Sequence, residues 1–315
     1  MYIRDPLGHE TQGCEVLFGR QPHGTSRMAP GIHATTDAPS QPHGAAESPR
    51  VATDVILSGL EGVPVTTEVV EIGLPAGVGK PIVFLHGLVG LNDHWEDLVK
   101  RIEHRSRCVL VQMPLLNLEG EDCSIQGATV LTIRFLEQYL RSEPVVLVGN
   151  SFGGHIAAKI AIQRPDLTRG LVLAGASGLI EKSMVSDIQI KPSRDWLARK
   201  IGELFFDQSK MNPSDVDRAH KVLTARGSAR AMVRLSRTAR KNHLGEQLSN
   251  IQAPTLLVWG RQDVVTPPEA CEQFAAKIPN NRVLWLDQCG HVPMVEKVEE
   301  FAKEMNAFLD GLEGR

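Results

Sequence analysis

The sequence predicts an α/β protein with a mostly parallel, doubly wound sheet, an antiparallel hairpin at its start and an inserted helical segment late in the chain. Three observations carry this. Short apolar runs bounded by turn residues alternate with helical periodicity, as in strand-helix-strand units. Two β-rich segments, Val51 to Leu57 and Val65 to Ile72, flank the turn-like cluster Gly59-Leu60-Glu61-Gly62. From Gly178 to Leu248 the strand signal disappears and helical character takes over.

Taken in order, residues 1–50 are rich in Gly, Pro, His, Ser and Thr and carry Gln-Pro-His-Gly twice, at Gln21 and Gln41, so they read as a disordered tail. Its histidines, His9, His23, His33 and His43, are too widely spaced for a ligand set, and no metal is expected. The hairpin follows. Pro81 to Leu85 is a short buried strand, and a helix is expected from Asp93 with Trp95, Leu98, Val99 and Ile102 on its apolar face. Val109 to Val111 is the next strand, and Ile125 to Leu140 the next helix, capped by Ser124. Val145 to Val148, Leu171 to Ala174, Thr255 to Trp259 and Arg282 to Leu286 complete the strands, and Pro268 to Lys277 and Val298 to Leu312 the helices. The resulting domain plan is a tail (1–50), a first core part (51–177), a helical insertion (178–248) and a second core part (249–315).

The 315 residues are 42% hydrophobic, ample for a core. A net charge of −3 offers no global attraction for nucleic acid or an anionic membrane, so any charge-based partner must be met locally. Five scattered cysteines, Cys14, Cys108, Cys123, Cys271 and Cys289, lack C-x-x-C spacing, which favours a reducing compartment and no structural zinc. No signal-like run follows Met1, and no stretch approaches the roughly 18 apolar residues of a membrane helix. A cytoplasmic protein without membrane or nucleic-acid partners, monomeric or homodimeric, is expected.

The chemistry centres on Gly149-Asn150-Ser151-Phe152-Gly153, a G-x-S-x-G match between a Val-rich strand and an Ala-rich helix. A sharp strand-to-helix turn strains its central residue and brings main chains close, so glycines suit its flanks. Here the sequence resembles the α/β-hydrolase superfamily. That resemblance implies the α/β-hydrolase fold, a helical cap at 178–248, and a nucleophile, an acid and a base in that chain order. Ser151 takes the first place. Asp263 follows the Thr255 to Trp259 strand, and His291, in Cys289-Gly290-His291, follows the Arg282 to Leu286 strand, both at strand carboxyl ends where open α/β sheets place their sites.

A serine hydroxyl needs an adjacent base, and the base needs a carboxylate to set its tautomer. Oxyanion donors are expected from the Phe152 N–H and from the loop after Leu85, where His86-Gly87 resembles the superfamily's H-G motif and Leu88 N–H is the donor, with Val89 second. His86 is expected to hold that loop by hydrogen bonds. His86, Gly87, Asn150 and Val292 are expected to border the substrate. Serine at position 151 sets the chain apart from haloalkane dehalogenases and epoxide hydrolases, which use Asp there. Asn150, Ser151 and Gly153-Gly154 resemble the elbow of carbon-carbon bond hydrolases. However, Val292 replaces that family's Trp, and Leu88-Val89 its Gly- and Ser-rich loop.

The insertion holds 14 Lys/Arg against 8 Asp/Glu. Arg226, Arg230, Arg234, Arg237 and Lys241 recur at helical spacing, either as a solvated face or as an attractor of an anionic substrate. Met184, Trp196, Leu197, Leu204, Phe205 and Phe206 either line an acyl pocket or pack the insertion onto the body. The functional expectation is a cofactor-free serine hydrolase acting on a small-molecule ester, thioester or related carbonyl compound. The alternatives are a carbon-carbon bond hydrolase and a small-molecule receptor on the same fold.

Overall fold

The computed structural model describes residues 49–90, 92–181 and 191–314. The tail with its repeats and four histidines, and Met184, lie outside the described residues. Eight strands form one sheet: β1 (Arg50–Ser58), β2 (Pro64–Gly73), β3 (Pro81–Leu85), β4 (Arg107–Gln112), β5 (Val145–Asn150), β6 (Thr168–Ala174), β7 (Thr255–Gly260) and β8 (Asn281–Leu286). Their spatial order is β1-β2-β4-β3-β5-β6-β7-β8. β1 and β2 pair antiparallel, with Val55 opposite Thr67, and β2 pairs antiparallel with β4. From β4 to β8 every pairing is parallel.

The apolar runs of β3 and β5 are buried end to end, and strand alternation divides them between two faces. Val83, Leu85 and Leu147 join a cluster with α2 (Ile125–Tyr139), α3 (Phe152–Gln163) and α7 (Pro268–Lys277). Ile82, Phe84, Val146 and Val148 point the other way, toward α1 (Glu96–Val99) and α9 (Val298–Glu313). The Ser124 hydroxyl accepts from Gly127 N at 2.9 Å and caps α2. The helix expected from Asp93 is shorter than its apolar pattern: a 3-10 turn, Asn92–Trp95, runs into the single turn of α1. Trp95, Leu98, Val99 and Ile102 are all fully buried nonetheless, so the pattern reported burial, not helix length.

Between β6 and β7 lie α4 (Arg194–Gly202), α5 (Pro213–Thr224) and α6 (Ser228–Lys241). Ser193 caps α4, Asn212 caps α5 with Pro213 at its first position, and Gly227, at φ 92°, turns the chain into α6. The last helices are the one-turn α8 (Pro293–Glu296) and α9. The chain winds from β3 to β4 on one side and then returns to β5 on the other. The β3/β5 boundary is therefore the topological switch point, where loops at the strand carboxyl ends open a crevice.

Candidate active site

Ser151 stands at that switch point, between β5 and α3, at φ 52° and ψ −117°. Its backbone is held from two directions: Ser151 N donates to Ala174 O at 3.2 Å, and Ser177 N donates to Ser151 O at 3.0 Å. The glycines around it are required by close approach. A Cβ on Gly149 would lie 2.4 Å from Gly153 O, and one on Gly153 would lie 2.3 Å from Leu85 O and 2.5 Å from His86 O. The start of α3 is thereby pressed against the end of β3, and the Phe152 N–H is one of the helix's first-turn donors, which find no carbonyl within the helix.

Asp263 and His291 arrive from the ends of β7 and β8. His291 Nδ1 lies 2.8 Å from Asp263 Oδ2, and both side chains are buried. The other carboxylate oxygen accepts from Val265 N at 2.8 Å and Thr266 N at 2.9 Å, which fixes the carboxylate plane. Thr266 Oγ1 is 2.9 Å from Asp263 Oδ2 and 3.0 Å from Gly175 O. The pair lies against the loop after β6: a Cβ on Gly175 would be 3.0 Å from Asp263 Oδ2 and 3.1 Å from His291 Nδ1. Burial alone would depress the His291 pKa. The Asp263 charge, the hydrogen bond to it and the Glu181 charge outweigh burial and leave it above the ordinary histidine value. Glu181 itself is pushed up by burial, against the opposing pull of His291, Arg240 and the Ser177 hydroxyl.

The loop after β3 approaches from the other side. A Cβ on Gly87 would stand 3.5 Å from Ser151 Cβ. Among the described residues no carbonyl accepts from the Leu88 or Val89 N–H. His86 is buried inside its own loop. Its Nδ1 is 2.6 Å from Gly87 O and donates to it, and its Nε2 lies 3.2 Å from Met113 O and 3.1 Å from Gln112 Nε2. Burial lowers the His86 pKa, against the opposing pull of the Gly87 and Met113 carbonyls. A cavity of about 570 Å³ adjoins this loop, and its lining includes His86, Leu88 and Val89 but none of Ser151, Asp263 or His291.

Asn150 and Val292 are buried as well. The Asn150 amide donates to Ala174 O at 2.9 Å and His291 O at 3.0 Å, tying the strand before Ser151 to the histidine loop. Of the residues read as pocket or packing, Leu197 and Phe205 are buried, Phe205 in the cluster that holds β5 and α9, whereas Phe206 is 49% exposed.

Sequence reasoning missed three residues. Thr266 was legible as the end of an Asp-x-x-Thr turn ahead of α7. Glu181 carried no signal, because only the fold brings it near His291. Glu296 is buried, and its carboxylate accepts from Gly290 N at 2.7 Å and from Phe206 N and Asp207 N, each at 2.9 Å. Together with His291 N donating to Leu204 O at 2.7 Å, it straps residues 204–207 to the histidine loop. Glu296 gave no sign in the sequence, because its burial comes only with the fold.

A serine at a strained strand-to-helix turn, a buried carboxylate-imidazole pair at successive strand ends and a loop after β3 set beside the serine together define a class. Residues 82–304 match the model of the alpha/beta hydrolase family, and the chain belongs to that family. It is 27% identical over 260 residues to a monoacylglycerol lipase of Bos taurus, covering 73% of this chain and 75% of that protein. It is 24% identical over 250 residues to 2-hydroxy-6-oxo-6-(2'-aminophenyl)hexa-2,4-dienoic acid hydrolase of Metapseudomonas resinovorans, covering 75% of this chain and 86% of that protein. A serine hydrolase from the polyaromatic hydrocarbon-degrading bacterium Cycloclasticus zankles superposes with a TM-score of 0.72 at 20% identity, over 84% of this chain and 99% of that one. Among the described residues no helix is long and apolar enough to cross a membrane.

Proposed function

We propose that this hydrolase is a cofactor-free serine esterase that cleaves an ester or thioester through an acyl-enzyme on Ser151. The observation that carries the reading is the buried Asp263–His291 pair, 2.8 Å apart, delivered to the loop that also holds the Ser151 backbone. Ser151 Oγ attacks the carbonyl carbon and its proton passes to His291 Nε2. Asp263 keeps Nδ1 protonated and stabilises the imidazolium. The Phe152 and Leu88 N–H groups meet the developing oxyanion, each contributing about 10²-fold or more. The imidazolium then protonates the leaving alcohol or thiol, and water, deprotonated by His291, releases the acid. Asn150 and His86 act through the backbone as positioning residues. Residues 178–248 serve as the cap over a core made of 51–177 and 249–315.

Glu181 bears on the substrate. It acts on His291 and is itself pushed toward the neutral acid by burial, so the base lies beside a carboxyl group of the protein's own. An acyl chain without charge near the scissile bond suits the site, in line with the lipase relative. The second reading, carbon-carbon bond hydrolysis, draws on the Asn150, Ser151 and Gly153-Gly154 elbow and on the Metapseudomonas relative. Rapid fluorophosphonate labelling of Ser151 with multiple turnovers on p-nitrophenyl esters of graded length is the expected result. Turnover of a ring-fission acid in preference to every ester would move the assignment to the second reading. Full ester turnover by Ser151→Ala would overturn both, and labelling without turnover on any substrate would leave a receptor.

A further inference from the structure

Between Asp217 and Glu246 the chain carries eight Lys/Arg and no acidic residue, in a protein whose net charge is −3. Arg218 at the start of this stretch is neutralised by Asp93 and Asp215. The rest concentrate on α6. Arg230, Arg234, Arg237 and Lys241 recur at intervals of four, three and four, a single helical face about 16 Å long, with Arg226 just ahead of it. All five are exposed, and among the described residues none has an ion-pair partner. Unpaired like charges along one face repel each other and contribute nothing to folding.

The opposite face of α6 is fully occupied. Ala231, Leu235 and Ala239 are buried in the core cluster, Thr238 Oγ1 accepts from Ile125 N at 3.0 Å, and the helix packs on the turn after β4. At its end, Asn242 O accepts from His155 Nε2 of α3 at 3.1 Å. The cationic face therefore looks outward, while the inner side packs on α2, α5 and the turn after β4 and the residue after the helix meets α3.

We infer that this face of α6 docks the protein on anionic lipid surfaces, holding the hydrolase against a bilayer without inserting into it. The shape argues for a bilayer over a polynucleotide. A strand of nucleic acid is tracked by a groove with aromatic platforms for its bases, whereas α6 is a convex ridge with no aromatic residue. A flat lipid surface meets such a ridge along its length, the arginine stems lie in the headgroup layer, and half-buried Met232 and Val233 flank them. The attraction is local, because charges beyond about 8 Å are screened at physiological salt, so the acidic balance of the whole chain does not cancel it. The expectation of no membrane partner rested on net charge and on the lack of an apolar span in the sequence, and both are blind to this arrangement.

The test is co-sedimentation of the full chain with phosphatidylcholine vesicles and with vesicles containing about one third phosphatidylglycerol, alongside the combined variant Arg230→Gln, Arg234→Gln, Arg237→Gln and Lys241→Gln. Binding to the anionic vesicles only, weakened by added salt and weakened at least about tenfold in the variant, is the expected result. The matching Arg→Lys set should bind like the parent, which separates charge from any loss of structure. Turnover of a water-soluble ester, unchanged in both sets, reports intact folding, and the binding readout holds whatever the substrate is. Equal partition onto neutral and anionic vesicles, undiminished binding by the glutamine variant, or capture of polyuridylate or polyglutamate without vesicle binding would each overturn the proposal.

Discussion

Ser151 adopts φ 52°, a conformation that costs an L-residue on the order of 1 kcal/mol or more and persists only because its surroundings impose it. Replacement therefore separates chemistry from strain. Ser151→Ala is expected to lower kcat by about 10³-fold or more on an ester substrate. Ser151→Gly is expected to be equally inactive but more stable than Ser151→Ala by about 1 kcal/mol in a urea titration, and equal stabilities would argue against stored strain. Glu181 is tested by pH. Its charge helps hold the His291 pKa above the ordinary value, and only the neutral imidazole can accept the serine proton. Glu181→Gln should lower that pKa, so the acid limb of kcat/KM moves to lower pH. A profile that stays in place, or moves to higher pH, would remove Glu181 from the site's electrostatics.

The α8 turn and the segment after α4 meet through one carboxylate. Glu296 accepts three backbone N–H groups, from Gly290, Phe206 and Asp207, and its own carbonyl accepts from Lys210 Nζ at 2.7 Å. In Glu296→Gln one oxygen becomes a second donor facing a donor, which should cost about 2–3 kcal/mol of stability and raise KM for long acyl chains more than for acetate. Loss of stability with unchanged chain-length preference would confine Glu296 to a structural role. At this scale the elements were largely legible in the sequence. The inner strands were visible as runs such as Val145 to Val148 that are buried on both faces, β1 and β2 as β-rich segments flanking a turn cluster, and α7 matched its predicted span. The length of α1 was not legible, since Ile102 continues the apolar rhythm while the chain has already begun turning toward β4.

For the whole molecule, the sheet starts at Arg50 paired with Ile72, and among the described residues the core clusters begin at Val55. Residues 1–48 lack the apolar content to add to that core, so their removal is expected to leave the melting temperature within about 2 °C and ester turnover unchanged. A clear drop in either would assign the tail a packed role. Composition also misdirects at this scale: a net charge of −3 averages away the cationic face of α6.

The sequence by itself determined the sheet, the elbow and the chain order of Ser151, Asp263 and His291, because strand burial, glycine flanks and strand-end loops are local consequences of residue type. Tertiary structure alone decided that Asn150 ties the elbow to the His291 loop, that Glu181 acts on the charge of His291, that Glu296 straps two segments together and that α6 turns its cations outward. Those outcomes depend on distances between residues far apart in the chain, and hydrogen bonds and charge interactions act on distance in space.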